Sequence, residues 1–177
     1  LLQRLIADYP QLLAGEQIDS DDPIQWLLIR REAGIPDGED SSNRWSVDHL
    51  LLDQHGRPTF VEVKRSSDTR IRREVVGQML DYAATAQVYW PADRIRALAA
   101  EQFGGPESAD HTIVDLLGSE PTCDDELLEV VENYWKTVEI NLRQGVIRLL
   151  FVADELPREL RRIIEFLNEQ MTSVEVL

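Results

Sequence analysis

Cysteine is nearly absent: Cys123 is the only one in 177 residues. One thiol can form no internal disulfide and no thiolate-built zinc cluster, so a reducing, intracellular and specifically cytoplasmic setting is expected. Long apolar runs are missing too. The longest candidates, such as Val146 to Ala153, fall well short of the roughly 18 residues that a membrane span requires, so no membrane partner is expected. The first fifteen residues carry Gln3, Arg4 and Asp8 at helical spacing, unlike a signal peptide. With only 9 Gly and 8 Pro, 43% apolar and 29% charged residues, collagen-like repeats and extended disorder are excluded. Bases are outnumbered 18 to 33, and a net charge of −15 argues against indiscriminate coating of nucleic acid. The length suits a single domain over residues 1–177. A start at Leu1 and an end inside the apolar stretch Val174 to Leu177 suggest a piece of a longer protein.

The charge is uneven. Arg57 to Arg73 holds six bases and two acids, a local +4, which leaves −19 for the rest of the −15 chain. An acidic body thus carries one basic crest. Leu1 to Leu13 has helix-like apolar spacing, ended by Pro10 or by Gly15, and Trp26 to Ile29 reads as a strand. Gly34 to Asn43 is loop-like. Ser46 to Asp53 and Pro58 to Lys64 read as two strands of a hairpin around His55. Arg70 to about Tyr89 is a helix whose stripe is Ile71, Val75, Met79, Leu80, Ala83 and Ala86. Further helices are expected over Pro91 to Phe103, Glu126 to Gln144 (ended by Gly145) and Pro157 to Gln170, with strands at Val146 to Ala153 and Ser173 to Leu177. Helix-strand-helix-strand from residue 126 onward predicts an α/β fold with a parallel βαβ unit.

Chemistry concentrates in the hairpin. Side chains alternate across a strand, so Asp48, Leu50 and Leu52 share a face, as do Phe60, Glu62 and Lys64. A turn centred on His55 sets Asp48 opposite Glu62, Leu50 opposite Phe60 and Leu52 opposite Pro58. Two neighbouring carboxylates repel unless a cation sits between them, and a hard divalent ion with oxygen ligands is the natural solution. Lys64 then stands ready to hold or deprotonate a water, or to stabilise charge developing on a phosphate. The bland alternative makes Glu62 and Lys64 solvated edge charges, but they interrupt a run of buried type, Phe60 to Val63, where charges need partners. Gln78 and Tyr82, at i and i+4, share one face of the following helix.

Asp48, then Glu62, Val63 and Lys64 on a hairpin, then Gln78 and Tyr82 on the next helix, resembles the PD-(D/E)XK nuclease superfamily. The resemblance is strongest to the bacterial and archaeal branch with a Q-x-x-x-Y helix, which includes RecB-like exonucleases and related repair and phage-defence nucleases. It covers roughly residues 45 to 90, and the helix end around Tyr9 to Leu13 is also similar to that branch. It implies a restriction-endonuclease-like core, a central mixed β-sheet flanked by α-helices. It implies Mg²⁺ or Mn²⁺ on Asp48, Glu62 and the carbonyl of Val63, with Lys64 catalytic and Gln78 and Tyr82 supporting the phosphate. Val47 stands where the family pattern has proline. An acid from an early helix often joins such sites, and Glu16 and Glu32 are both candidates.

The expected function is therefore metal-dependent hydrolysis of nucleic acid, with DNA as partner and a homodimer or a larger chain as context. The alternatives are a non-catalytic DNA-binding or assembly module of the same fold, and an acidic scaffold that binds protein. Arg65, Arg70, Arg72 and Arg73 follow the site directly and are expected to form a phosphate-gripping rim, or else to pair with Asp68 and Glu74. The remaining candidates favour structure. His49 alternates to the opposite face from Asp48, His55 lies in the turn, and His111 in an acidic loop. Trp26, Trp45, Trp90 and Trp135 lack the interleaved bases of a stacking platform. The acids at 124–126 mark a helix start rather than a second metal site.

Overall fold

The alternation around His55 is realised as an antiparallel hairpin, β2 (Trp45–Asp53) and β3 (Thr59–Lys64), in a computed structural model that describes residues 2–35, 45–64 and 74–177. His49 opposes Val61, Leu50 opposes Phe60 and Leu51 opposes Thr59, so the turn is centred where the sequence places it. The expected pairing of Leu52 with Pro58 does not form part of the ladder. There the Asp53 carboxylate turns into the loop, accepting the amides of His55 and Arg57 at 3.0 and 2.9 Å, while Gly56 takes φ of 65°. That side-chain-closed turn is wider than a two-residue one.

The full sheet has the order β1-β2-β3-β4-β5, with β1 (Trp26–Ile35) on one edge. β1 to β3 run antiparallel; β4 (Ile147–Ala153) and β5 (Val174–Val176) continue parallel to β3. The fold is thus α/β, a mixed five-stranded sheet flanked by helices. The helix α7 (Arg158–Gln170) links β4 to β5 in the expected parallel unit. Between β3 and β4 lie α3 (Glu74–Tyr89), α4 (Ala92–Phe103), α5 (Pro106–Leu116) and α6 (Asp124–Gln144). Gly145, left-handed at φ 67°, ends α6, and the three acids of its first turn meet the positive end of the helix dipole.

Both sheet faces are covered, unequally. On one, Leu50, Leu52, Phe60, Leu149 and Phe151 pack with Val75, Met79, Tyr82, Ala83 and Ala86 of α3 and with Leu160 and Ile164 of α7. Trp90 stacks on Phe60 with ring centroids 5.6 Å apart. On the other face Ile6 of α1 (Leu2–Asp8) packs on Leu51, Val61 and Val63. A 3₁₀ turn (Pro10–Leu12) and α2 (Gly15–Ile18) finish this N-terminal arm. A Cβ at Gly15 would lie 2.0 Å from the Ile24 carbonyl oxygen, so only glycine allows the arm to approach the start of β1.

His111 lies in α5, not in a loop. Gly104 and Gly105 end one helix, but Pro106 then opens the next at its first turn, and Ala109, Ile113 and Val114 bury its inner side. β1 runs on past Ile29 to Ile35 through Arg30, Arg31 and Glu32, a charged stretch that an edge strand tolerates. The loop expected over Gly34 to Asn43 overlaps β1 at Gly34 and Ile35, and residues 36–44 lie outside the described residues. Among those described, no helix is long and apolar enough to cross a membrane.

Candidate active site

The register that opposes Leu50 to Phe60 fixes the rest by the two-residue period of a strand. Asp48 lies two residues before Leu50 and Glu62 two beyond Phe60, so both carboxylates belong to the face covered by α3. Asp48 is held from two directions. One carboxylate oxygen accepts the Val63 amide at 2.8 Å and the other accepts the side-chain amide of Gln3 at 2.6 Å. Each oxygen retains lone-pair capacity for a further ligand.

Glu62 is only 3% exposed, in the middle of a buried strand. Its Oε1 lies 2.7 Å from Lys64 Nζ, whereas its Oε2 is buried with no hydrogen-bond partner. Burial pushes the Glu62 carboxyl above its ordinary value; Lys64 acts against that rise and the charge of Asp48 adds to it. A buried, half-satisfied carboxylate beside a second acid is costly, and it is the least balanced acidic group of this region. A cation would balance it.

Tyr82 is fully buried against this pair. Its hydroxyl donates to the Ser46 carbonyl at 2.9 Å and accepts from the Gln78 side-chain amide. Burial, with the charges of Glu62 and Asp48, drives the phenol pKa upward, so the ring stays neutral. Gln78 and Tyr82 are thus brought to the site but spend their polar atoms on each other and on β2. They brace the start of β2 beside the two acids. Lys64 is half-buried at the end of β3, opposite Ala153 at the end of the parallel strand β4. A groove of about 580 Å³ opens beside it, lined among others by Gln3, Leu5, Val63, Lys64, Ala153 and Asp154. Such carboxyl-terminal strand ends are where open α/β sheets bind ligands.

Gln3 carries no local sequence signal that would assign it to a site 45 residues away. Its one hint is being a polar side chain one helical turn from buried Ile6. Of the two early acids, Glu16 is exposed in α2 without a side-chain partner among the described residues, and exposed Glu32 pairs with Arg31 at 3.9 Å. Neither joins Asp48 or Glu62. His49, on the opposite face as expected, is fully buried; its Nε2 donates to the Gln3 carbonyl at 2.8 Å. Burial lowers the His49 pKa, so the imidazole is neutral. His55 pairs with Asp22 at 3.2 Å in the turn. Arg65, Arg70, Arg72 and Arg73 lie outside the described residues.

Among the described residues no group of three or more His, Cys, Asp or Glu side chains could hold a metal. The donors present are hard oxygens: the carboxylates of Asp48 and Glu62, with the Val63 carbonyl following. That set fits Mg²⁺ or Mn²⁺, because Mg²⁺ is commonly bound by one or two carboxylates plus water and substrate phosphate. Compared with protein-family models, curated proteins and solved structures, the chain matches none.

Proposed function

We propose that this chain is a metal-dependent nuclease with a restriction-endonuclease-like core, hydrolysing phosphodiester bonds of DNA. The observation that carries the proposal is the buried, unpartnered Oε2 of Glu62 beside Asp48, with Lys64 2.7 Å from the other Glu62 oxygen. In this reading Asp48, Glu62 and the Val63 carbonyl hold Mg²⁺ or Mn²⁺, which when bound lowers the pKa of water and neutralises phosphate charge. Lys64, anchored to Glu62, orients the attacking water and faces the charge developing on the phosphate oxygens. The water oxygen bonds to phosphorus as it gives one proton to solvent, one ester P–O bond breaks, and the departing oxygen takes a proton from solvent to leave as a hydroxyl. Gln3 fixes the Asp48 carboxylate, while Gln78 and Tyr82 brace the start of β2.

The test is cleavage of plasmid and linear DNA with Mg²⁺ or Mn²⁺, set against chelator. Lys64→Ala should abolish cleavage while DNA affinity falls only modestly, because one phosphate contact among several is lost. A parent protein that cuts nothing, or a Lys64→Ala variant that cuts as well as the parent, ends the reading in favour of a non-catalytic module.

A further inference from the structure

The net charge of −15 makes unpaired arginines conspicuous. Arg4, Arg30, Arg31, Arg57, Arg96 and Arg148 each meet a carboxylate. Arg158, Arg161 and Arg162 on α7 are exposed, and their side chains have no hydrogen-bond or ion-pair partner among the described residues. Their spacing of i, i+3 and i+4 gathers the three guanidinium groups on one side of the helix. Leu160 and Ile164, buried toward the sheet, occupy the other side.

Their place in the fold gives the cluster a context. α7 begins five residues after Ala153, the β4 residue that opposes Lys64. It covers the same sheet face as Asp48 and Glu62, since Leu160 and Ile164 pack in the core that holds Leu50 and Phe60. The arginines therefore start at the edge of the candidate site but turn outward from it. They cannot touch the bond being cut. They can reach phosphates several nucleotides away on the same strand.

We infer that Arg158, Arg161 and Arg162 form a second phosphate track, along which nucleic acid runs over the outer side of α7. This rests on the nuclease reading for its substrate but not for its geometry. Guanidinium forks suit phosphate oxygens; the three bases outnumber Glu165, the nearest acid on their side of α7, and the net charge of −15 disfavours other paths for a polyanion. The track requires a substrate long enough to reach from the site to the helix.

The experiment measures binding of a 6-nucleotide and a 30-base-pair DNA, without divalent ions, across a salt series. The variants are Arg158→Gln/Arg161→Gln/Arg162→Gln together and, as a control, Lys136→Gln on α6. For the long duplex the triple variant should bind roughly tenfold or more weakly, with a salt slope reduced by about two to three units. The short DNA and the control should bind like the parent. Circular dichroism and melting should match the parent, because no partner contact is removed. An unchanged long-duplex affinity and slope overturns the track, and so does an equal loss for both lengths. If the parent binds but does not cut, the nuclease reading fails while the binding result still decides the track. If the parent binds no DNA at all, the track is overturned.

Discussion

A carboxylate 3% exposed stays ionised only against the loss of its water, and Glu62 recovers part of that loss through Lys64 and, to a smaller extent, the Asp48 backbone. Its raised pKa expresses the imbalance. Asp48 is in the reverse position, with a donor on each oxygen and its orientation fixed before any ligand arrives. The two acids divide the work: one supplies a fixed geometry, the other an unmet charge. Gln3 is the residue whose removal separates these roles. Gln3→Ala should free one Asp48 oxygen and reduce metal affinity about 10–100-fold, the usual cost of losing a group that orients a ligand. Cleavage rate against Mn²⁺ concentration measures this; an unchanged half-saturation would mean that Gln3 does not set the carboxylate. The acids and Lys64 were legible because alternation on a short hairpin leaves little freedom. Gln3 was not, because its contact depends on where an independent helix docks.

At the scale of elements, α1 reaches the site through adjacent residues of β2. The Gln3 side chain meets Asp48, and its carbonyl accepts from His49. His49 must stay neutral, since its Nδ1 is buried without a partner and burial lowers its pKa. A folded-state pKa below the unfolded value of about 6.5 gives stability that is complete above that pH and lost as pH falls through the folded value. The protein should therefore weaken on acidification below about pH 6.5. His49→Gln should flatten that part of the curve in chemical denaturation at several pH values; an identical pH dependence would place the loss elsewhere. Element types were readable where one period dominated: β2, β3, α3, α6 and the β4-α7-β5 unit. α5 was hidden because a Gly-Gly-Pro start and an acidic, weakly striped sequence resemble a loop. The second half of β1 is charged, a pattern that edge position permits and sequence alone does not reveal as strand.

Across the whole molecule the two ends of the sheet differ in how well charge is satisfied. At the hairpin-turn end Arg148 meets Asp53 at 2.9 Å and Glu175, while Arg57 also pairs with Glu175 at 2.8 Å and Trp26 lies over the Arg148 guanidinium. That network is closed and serves the fold. At the other end, where β3 and β4 finish, Glu62 keeps a buried oxygen without a hydrogen-bond partner, and a groove opens beside Lys64. The proposed nuclease requires a divalent ion at that second end. Calorimetric titration of the protein with Mn²⁺ tests it most directly. One ion per chain is expected, lost in Glu62→Gln and in Asp48→Asn while both variants remain folded. A parent protein that takes up no ion, or a Glu62→Gln variant that binds Mn²⁺ as its parent does, would contradict it.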